Sequence, residues 1–318
     1  MTAMARPPVV LALRALGLGD FLTGVPAYRA LRRAYPGHEV VLAAPAGLAP
    51  LARLTAAVDR VHATADLSSF EWPEPGPDVA VNLHGRGPQS HRALTGARPG
   101  RLVAFGRSGP EPVPGPKWRA DEHEVHRWCR LLVESRIAAD PGDLRLARPD
   151  IPSPVAGAVV VHPGAAYGSR RWPAQRYAAV ARTLAAEGHR VVVTGSAQER
   201  GTAEEVGSAA GLPADAVLAG RTGLLELAAL VADADLVICG DTGLAHLATA
   251  YGTASVVLFG PVSPAHWGPP ALPRHIVLWH GRGDGDPWAA EADSALLQIG
   301  VDEVLAAARR TLTPAVVQ

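Results

Sequence analysis

Residues 232 to 261, ADADLVICGDTGLAHLATAYGTASVVLFGP, read as strand, tight turn, helix, strand. Leu236, Val237, Ile238 and Cys239 form an apolar run of buried-strand length. Gly240 permits a sharp turn, and Asp241 and Thr242 are favoured helix N-cap residues. A helical pattern follows from Gly243 to about Tyr251. Gly252 stops it, and Ser255 to Phe259 supplies the next strand. A buried strand feeding straight into a helix start sets unpaired N–H groups and the positive end of a helix dipole at the carboxyl edge of a sheet. Such an edge suits a phosphate. His246 lies four residues after Thr242 and shares its helix face. By residue type alone, an ordinary capped helix in an α/β domain explains the stretch equally well.

Outward from that stretch the same alternation recurs. Val9 to Leu13 is a first apolar strand, Gly17 and Gly19 make a loop, and a helix is expected from about Asp20 to Tyr35 with Pro26 inside its first part. Val40 to Ala43 is the next strand, so the chain opens β-α-β and a parallel sheet is expected. The third glycine of a dinucleotide fingerprint is replaced by Leu22, which disfavours an NAD-binding dehydrogenase. Asp78 to Leu83 is another strand, followed by the loop HGRGPQS. Residues 106 to 119 are rich in Pro and Gly and read as a mobile flap. Val125, Trp128, Cys129, Leu132 and Val133 have helical spacing within 122 to 136. The Pro-rich segment 147 to 157 marks a boundary between domains 1–150 and 151–318. Beyond it, strands are expected at 158 to 162 and 191 to 194, and a helix at 301 to 312.

Composition narrows the function classes. The 318 residues are 48% hydrophobic, enough for two ordinary cores. Lys plus Arg equals Asp plus Glu at 30 each, so no global field favours nucleic acid. Pro7, Pro8 and Arg14 interrupt any N-terminal apolar segment, and no run of about 18 apolar residues exists to cross a membrane. Cys129 and Cys239 fall in different halves and suggest no disulfide framework. A soluble cytoplasmic protein is expected.

The wording of 232 to 261, and of several stretches before it, resembles glycosyltransferase family 9, the ADP-heptose:lipopolysaccharide heptosyltransferases and their relatives. Arg14, Gly19, Asp20 and Pro26 stand in the order of the family's first loop, where the Asp of its Gly-Asp is the catalytic base; the resemblance implies that role for Asp20. From the residues alone Asp20 is an N-cap. The segment NLHGRGPQS is similar to the family's D-L-H-G loop, with Asn82 in place of the usual Asp, and brings His84 and Arg86 forward as acceptor-side residues, with Arg14 of the first loop beside them. HEVHRWCRLL resembles the family's H-x-V-x-R helix. In PGAAYGSRRWP, Gly164 and Gly168 are expected to let backbone approach a ligand. Arg170 is the closest match to the family's donor-phosphate Lys, with Arg171 beside it. Glu199 matches a Glu on the nucleoside side of the donor, or is a solvated first-turn residue. Asp241, Thr242, Gly243 and His246 complete the implied donor set.

The fold implied is α/β of the GT-B type: two doubly wound Rossmann-like domains facing across a cleft, with the last helix packing back on the first domain. The implied reaction is a metal-independent, inverting transfer of a heptose-like sugar from an ADP-linked donor to a glycan, glycolipid or small-molecule hydroxyl, with no cofactor. Asp284-Gly285-Asp286 has the look of a cation-binding triplet, but its loop context favours a solvated turn, and the His residues lack zinc spacing. No metal and no nucleic-acid partner are expected. A monomer is expected, cytoplasmic, with room for peripheral contact at the inner face of the membrane. Alternatives are a GT-B-like nucleotide-sugar epimerase or hydrolase, and a non-catalytic sugar-nucleotide-binding protein.

Overall fold

The computed structural model describes residues 6–312 and divides into two units, 1–147 and 148–318. In the first unit the elements are β1 (Val9–Leu13), α1 (Leu18–Thr23), α2 (Val25–Ala34), β2 (Glu39–Ala44), α3 (Ala49–Leu54), β3 (Arg60–Ala63), β4 (Val79–Asn82), α4 (Gln89–Gly96), β5 (Arg101–Val103) and α5 (Glu124–Glu134). Its five strands are parallel in the order β3-β2-β1-β4-β5. Every residue of β1 is buried, as an apolar strand covered on both faces must be.

The second unit contains β6 (Ala158–His162), α6 (Ala174–Ala186), β7 (Arg190–Val193), α7 (Arg200–Ala210), α8 (Leu224–Ala232), β8 (Leu236–Gly240), α9 (Gly243–Tyr251), β9 (Ser255–Leu258), α10 (Pro264–Trp267), β10 (His275–Leu278), α11 (Ser294–Gln298) and α12 (Val301–Leu312). Its strands are again parallel, ordered β10-β9-β8-β6-β7. The final helix packs within this unit, against α6 and strands β8 to β10, with Val304, Leu305, Ala307 and Ala308 in the core. Its apolar stripe is therefore packed inside the second unit.

In both sheets the strand order reverses once, and an open α/β sheet binds its ligand at that reversal, beyond the carboxyl ends of the strands. For the first sheet the reversal lies between β1 and β4; for the second it lies between β6 and β8. The segments that follow those four strands carry Asp20, His84, Arg170 and Asp241.

Local differences from the sequence expectations have steric causes. The helix expected over 20–35 is two helices broken at Gly24. A Cβ there would lie 2.4 Å from the Tyr28 hydroxyl, so any other residue would have to displace that buried ring. Pro26 sits in the first turn of α2, where its missing N–H has no partner to lose. The Pro- and Gly-rich flap is fastened: Gly106 N–H donates to Pro116 O at 2.7 Å, Arg107 bridges Val113, and Trp118 packs on Phe105 and Trp128. No helix among the described residues is long and apolar enough to cross a membrane.

Candidate active site

At the switch point of the first sheet, Leu13 is in register with Asn82, so the residues that follow them are neighbours. Arg14 is fully buried there. Its Nε donates to the Asp20 carbonyl and its Nη1 to the Leu83 carbonyl. Its Nη2 donates to Glu124 Oε1 at 2.9 Å and to Thr23 Oγ1 at 3.0 Å. The guanidinium also stands 5.0 Å from the centroid of the Trp128 ring. Arg14 is thus spent inside the protein and is no acceptor contact, contrary to the expectation. A buried guanidinium holds its charge only where carboxylates and carbonyls replace water.

Asp20 is not the N-cap of α1; that position is Gly17, and Asp20 lies in the first turn. The Asp20 side chain is 29% exposed, with Oδ1 3.4 Å from Arg14 Nη2. Burial holds its carboxyl above the usual carboxylate range. Arg14 opposes that shift and the charge of Glu124 adds to it.

The loop after β4 is organised by Asn82. Its amide nitrogen donates to Gly85 O at 3.0 Å and to Ser90 Oγ at 2.9 Å, and its oxygen accepts from the His84 N–H at 3.1 Å. A carboxylate could accept from the His84 N–H and from the Ser90 hydroxyl, but it could not donate to the Gly85 carbonyl. His84 is half-buried, and its Nδ1 has no hydrogen-bond partner among the described residues. Burial, then the nearby Arg14 charge, pushes it down to about 4, so it is neutral at physiological pH. Arg86 is exposed on the same loop.

In the second unit, the loop leaving β6 is pinned from three sides. Trp172 is buried, donating to Ile299 O at 3.1 Å and meeting Tyr177 edge-on at 4.9 Å. The Ser169 N–H donates to Ala289 O at 3.0 Å. A Cβ at Gly168 would lie 1.6 Å from Ala290 O, and one at Gly164 would lie 2.2 Å from Glu199 Oε1. These glycines admit the chain's own carbonyl and carboxylate, which corrects the expectation that they admit a ligand. Within this frame Arg170 Nη1 lies 3.3 Å from Asp241 Oδ2, while Arg170 Nε is buried without a hydrogen-bond partner among the described residues. Arg171 is exposed, its Nε donating to Ala165 O at 2.9 Å.

Asp241 is buried at the end of β8. Thr242, not Asp241, caps α9, its Oγ1 accepting from the Leu244 N–H at 3.3 Å. Gly243 is the first residue of α9, and His246, half-buried one turn on, packs against Trp267 of α10 with ring centroids 6.0 Å apart. Glu199 precedes α7, and its Oε2 accepts from the Ser196 N–H at 2.7 Å. Burial pushes its carboxyl up, but that bond, His162 and Arg171 together bring it below the usual range.

The structure therefore gathers Asp20, Arg14 and His84 at one switch point, and Arg170, Asp241, Thr242 and Gly243 at the other. Asp286 is a turn residue: its Oδ1 accepts from the Trp288 N–H at 2.9 Å. Among the described residues no group of three His, Cys, Asp or Glu could hold a metal ion. Sequence reasoning missed Glu124. Only the position of Glu124, directly before an apolar helical stripe, set it apart.

Two doubly wound parallel units of this kind, with polar loops at their switch points, form the GT-B glycosyltransferase fold. Residues 119–285, more than half of the chain, match the model of glycosyltransferase family 9 (heptosyltransferase), and the chain belongs to that family. It is a glycosyltransferase working with a nucleotide-sugar donor. Among solved structures it is similar to the Escherichia coli ADP-heptose LPS heptosyltransferase II, with 22% identity, 96% of this chain and 98% of that chain covered, and a TM-score of 0.74. The family 9 glycosyl transferase of Veillonella parvula DSM 2008 gives 19% identity, coverage of 98% and 99%, and a TM-score of 0.76. The E. coli heptosyltransferase WaaC with ADP gives 19%, 95% and 99%, and 0.69. No curated protein matches the chain.

Proposed function

We propose that the protein moves a heptose-like sugar from an ADP-linked donor to a hydroxyl of a glycan, glycolipid or metabolite, with inversion at the sugar C1 and no metal ion. The observation that carries this reading is Arg170 held beside the start of α9 at the switch point of the second sheet. A leaving diphosphate gains negative charge as the glycosidic bond breaks. Arg170 and the N–H groups at Thr242 and Gly243 offset that charge from fixed positions. Asp241, paired with Arg170, is left to meet sugar hydroxyls rather than phosphate, and His246 follows on the same helix. Glu199 serves the nucleoside side. Asp20 takes the proton of the acceptor hydroxyl as that oxygen attacks C1 in line with the departing diphosphate.

The choice of ADP-heptose draws on the similar E. coli proteins, whose names give ADP-heptose as donor or ADP as ligand. A cytoplasmic site of action, with peripheral contact at the inner membrane face, accords with a nucleotide-sugar substrate. A thermal-shift screen against ADP-, GDP-, UDP- and dTDP-sugars tests the donor. A ligand at 100 times its Kd adds about 2.7 kcal/mol to stability. Transfer from the best donor to added acceptors is then followed with and without EDTA. Transfer that survives EDTA is expected. Loss on chelation, restored by Mn²⁺ or Mg²⁺, refutes metal independence and returns attention to Asp284 and Asp286. Donor consumption that no acceptor changes refutes the transferase reading in favour of a hydrolase or epimerase.

A further inference from the structure

We infer that Glu124 is a positioning residue for the proposed base: it takes up the charge of Arg14, so that Arg14 fastens the main chain at residue 20 and leaves the Asp20 carboxylate open to the acceptor hydroxyl. This inference rests on the reading of Asp20 as base. Two carboxylates lie within reach of Arg14 Nη2, and they are not equivalent. Glu124 is at 2.9 Å with a side chain 7% exposed; Asp20 is at 3.4 Å with a side chain 29% exposed. The nearer, more buried one is the counter-ion of the guanidinium.

Glu124 is itself held in place. Trp128 Nε1 donates to its Oε1 at 2.8 Å, and Arg127 Nη1 donates to its Oε2. Both partners lie on α5, three and four residues on, so one helix turn sets the carboxylate. Arg14, in turn, grips residue 20 by the carbonyl oxygen through Nε, and reaches the same turn again through Thr23 Oγ1, which donates to the Asp20 carbonyl at 2.9 Å. Asp20 is thereby located through its main chain, and its carboxylate keeps only the long 3.4 Å contact from Arg14 Nη2 to Oδ1. Without the charge on Glu124, a buried guanidinium would draw on the one remaining carboxylate in reach. That would occupy the oxygen a base must offer and lower its proton affinity.

Charged and titratable groups face Asp20 from three elements. Arg14 faces it from the loop after β1, Tyr28 from α2 and Glu124 from α5, while His84, on the loop after β4, feels Arg14. The two carboxyls move apart, as expected of a counter-ion and a base. Glu124 is held below its usual range, since Arg14, Arg127 and Trp128 outweigh its burial, and Asp20 is held above.

The test combines a titration with kinetics. The Asp20 carboxyl is followed by carbon-13 NMR in the full-length unliganded protein, assigned by its absence from Asp20→Asn. The pH profile of kcat/KM is measured in parallel for wild type, Glu124→Gln and Glu124→Asp. In wild type Asp20 should titrate above the ordinary value of about 3.9. In Glu124→Gln it should fall by about one unit, carrying the acid limb of kcat/KM with it and lowering kcat several-fold, with donor KM unchanged. Glu124→Asp, which keeps the charge, should restore the wild-type limb. A carboxyl that titrates below about 3.9 in wild type, or does not move in Glu124→Gln, overturns the role of Glu124. If Glu124→Gln does not fold, Glu124→Ala is titrated in its place, and a wild-type carboxyl below the ordinary value overturns the role without either variant. A carboxyl that shifts while the kinetic limb stays fixed overturns Asp20 as base instead.

Discussion

Asp20→Asn separates chemistry from architecture because the hydrogen bonds the carboxylate accepts, a long one from Arg14 Nη2 at 3.4 Å and those from the main chain at Gly17 and Asp20, can be accepted by an amide oxygen. Gly17 is the cap of α1, and the grip of Arg14 on residue 20 is through the main-chain carbonyl, which Asn keeps. The carboxylate is a net electrostatic cost to the fold. A carboxyl whose folded pKa lies above its unfolded value binds protons more readily in the folded state, so stability falls as pH rises through that window. At pH 7 the ionised Asp20 therefore opposes folding, and Asn removes that opposition. The Tm of Asp20→Asn should equal or exceed that of wild type at pH 7. The difference should vanish below about pH 3.9, where the carboxyl is protonated in both states. Turnover should nevertheless fall by roughly 10²–10⁴, the contribution of a positioned base, or about 3–5 kcal/mol of barrier. Donor affinity, measured by calorimetry, should stay within a few-fold, because the proposed donor contacts all lie on the second unit. Near-normal turnover would remove Asp20 from the mechanism and make His84 the next base to examine. A Tm lower by several degrees with turnover intact would show that Asp20, not Glu124, balances Arg14.

Two further outcomes follow from the same geometry. Arg170→Ala should weaken donor binding by about 10–100-fold, from the ~1.5–3 kcal/mol of a charge-assisted hydrogen bond, and His246→Ala by less; unchanged affinity in both would reduce α9 to a capped helix. His84 and His275 are both pushed down to about 4, chiefly by burial; the unfolded chain protonates them first, near 6.5, so Tm should fall as pH drops from about 6.5 to about 4. A slope unchanged in a His84→Asn, His275→Asn double variant would assign that fall to other groups.

The fold was legible where one physical demand governs a whole segment. A strand buried on both faces must be apolar throughout, and VVLAL and LVICG are. The strands that escaped reading answer to mixed demands. β3, RVHA, is half-exposed at a sheet edge, and β5 has only three residues. β10 opens on a buried His275 whose Nδ1 meets Ser255 Oγ at 2.9 Å, a contact no local pattern announces. The same distinction runs through the site. Arg170, Asp241 and Thr242 sit on strand-to-helix turns, so their spacing along the chain reports their place in space. Glu124 is 110 residues from Arg14, and a carboxylate at a helix start ordinarily faces water.

Departures from an expected pattern also change meaning once contacts are known. With Asn82 in place of Asp, the chain reads, residue by residue, as merely lacking a carboxylate. In the fold the amide supplies two donated bonds that tie Gly85 and Ser90, and so sets the loop that carries His84. A carboxylate there would lie buried against the Gly85 carbonyl with no donor to offer. The glycines of the Arg170 loop invert in the same way: their missing Cβ atoms make room for Glu199 and for the 289–290 backbone, and that internal packing is what holds Arg170 still. Electrostatic stabilisation of a leaving diphosphate depends on charges that need not reorganise as the bond breaks. Residues whose spacing suggests ligand contact can thus serve transfer at one remove, by fixing the few groups that touch the substrate.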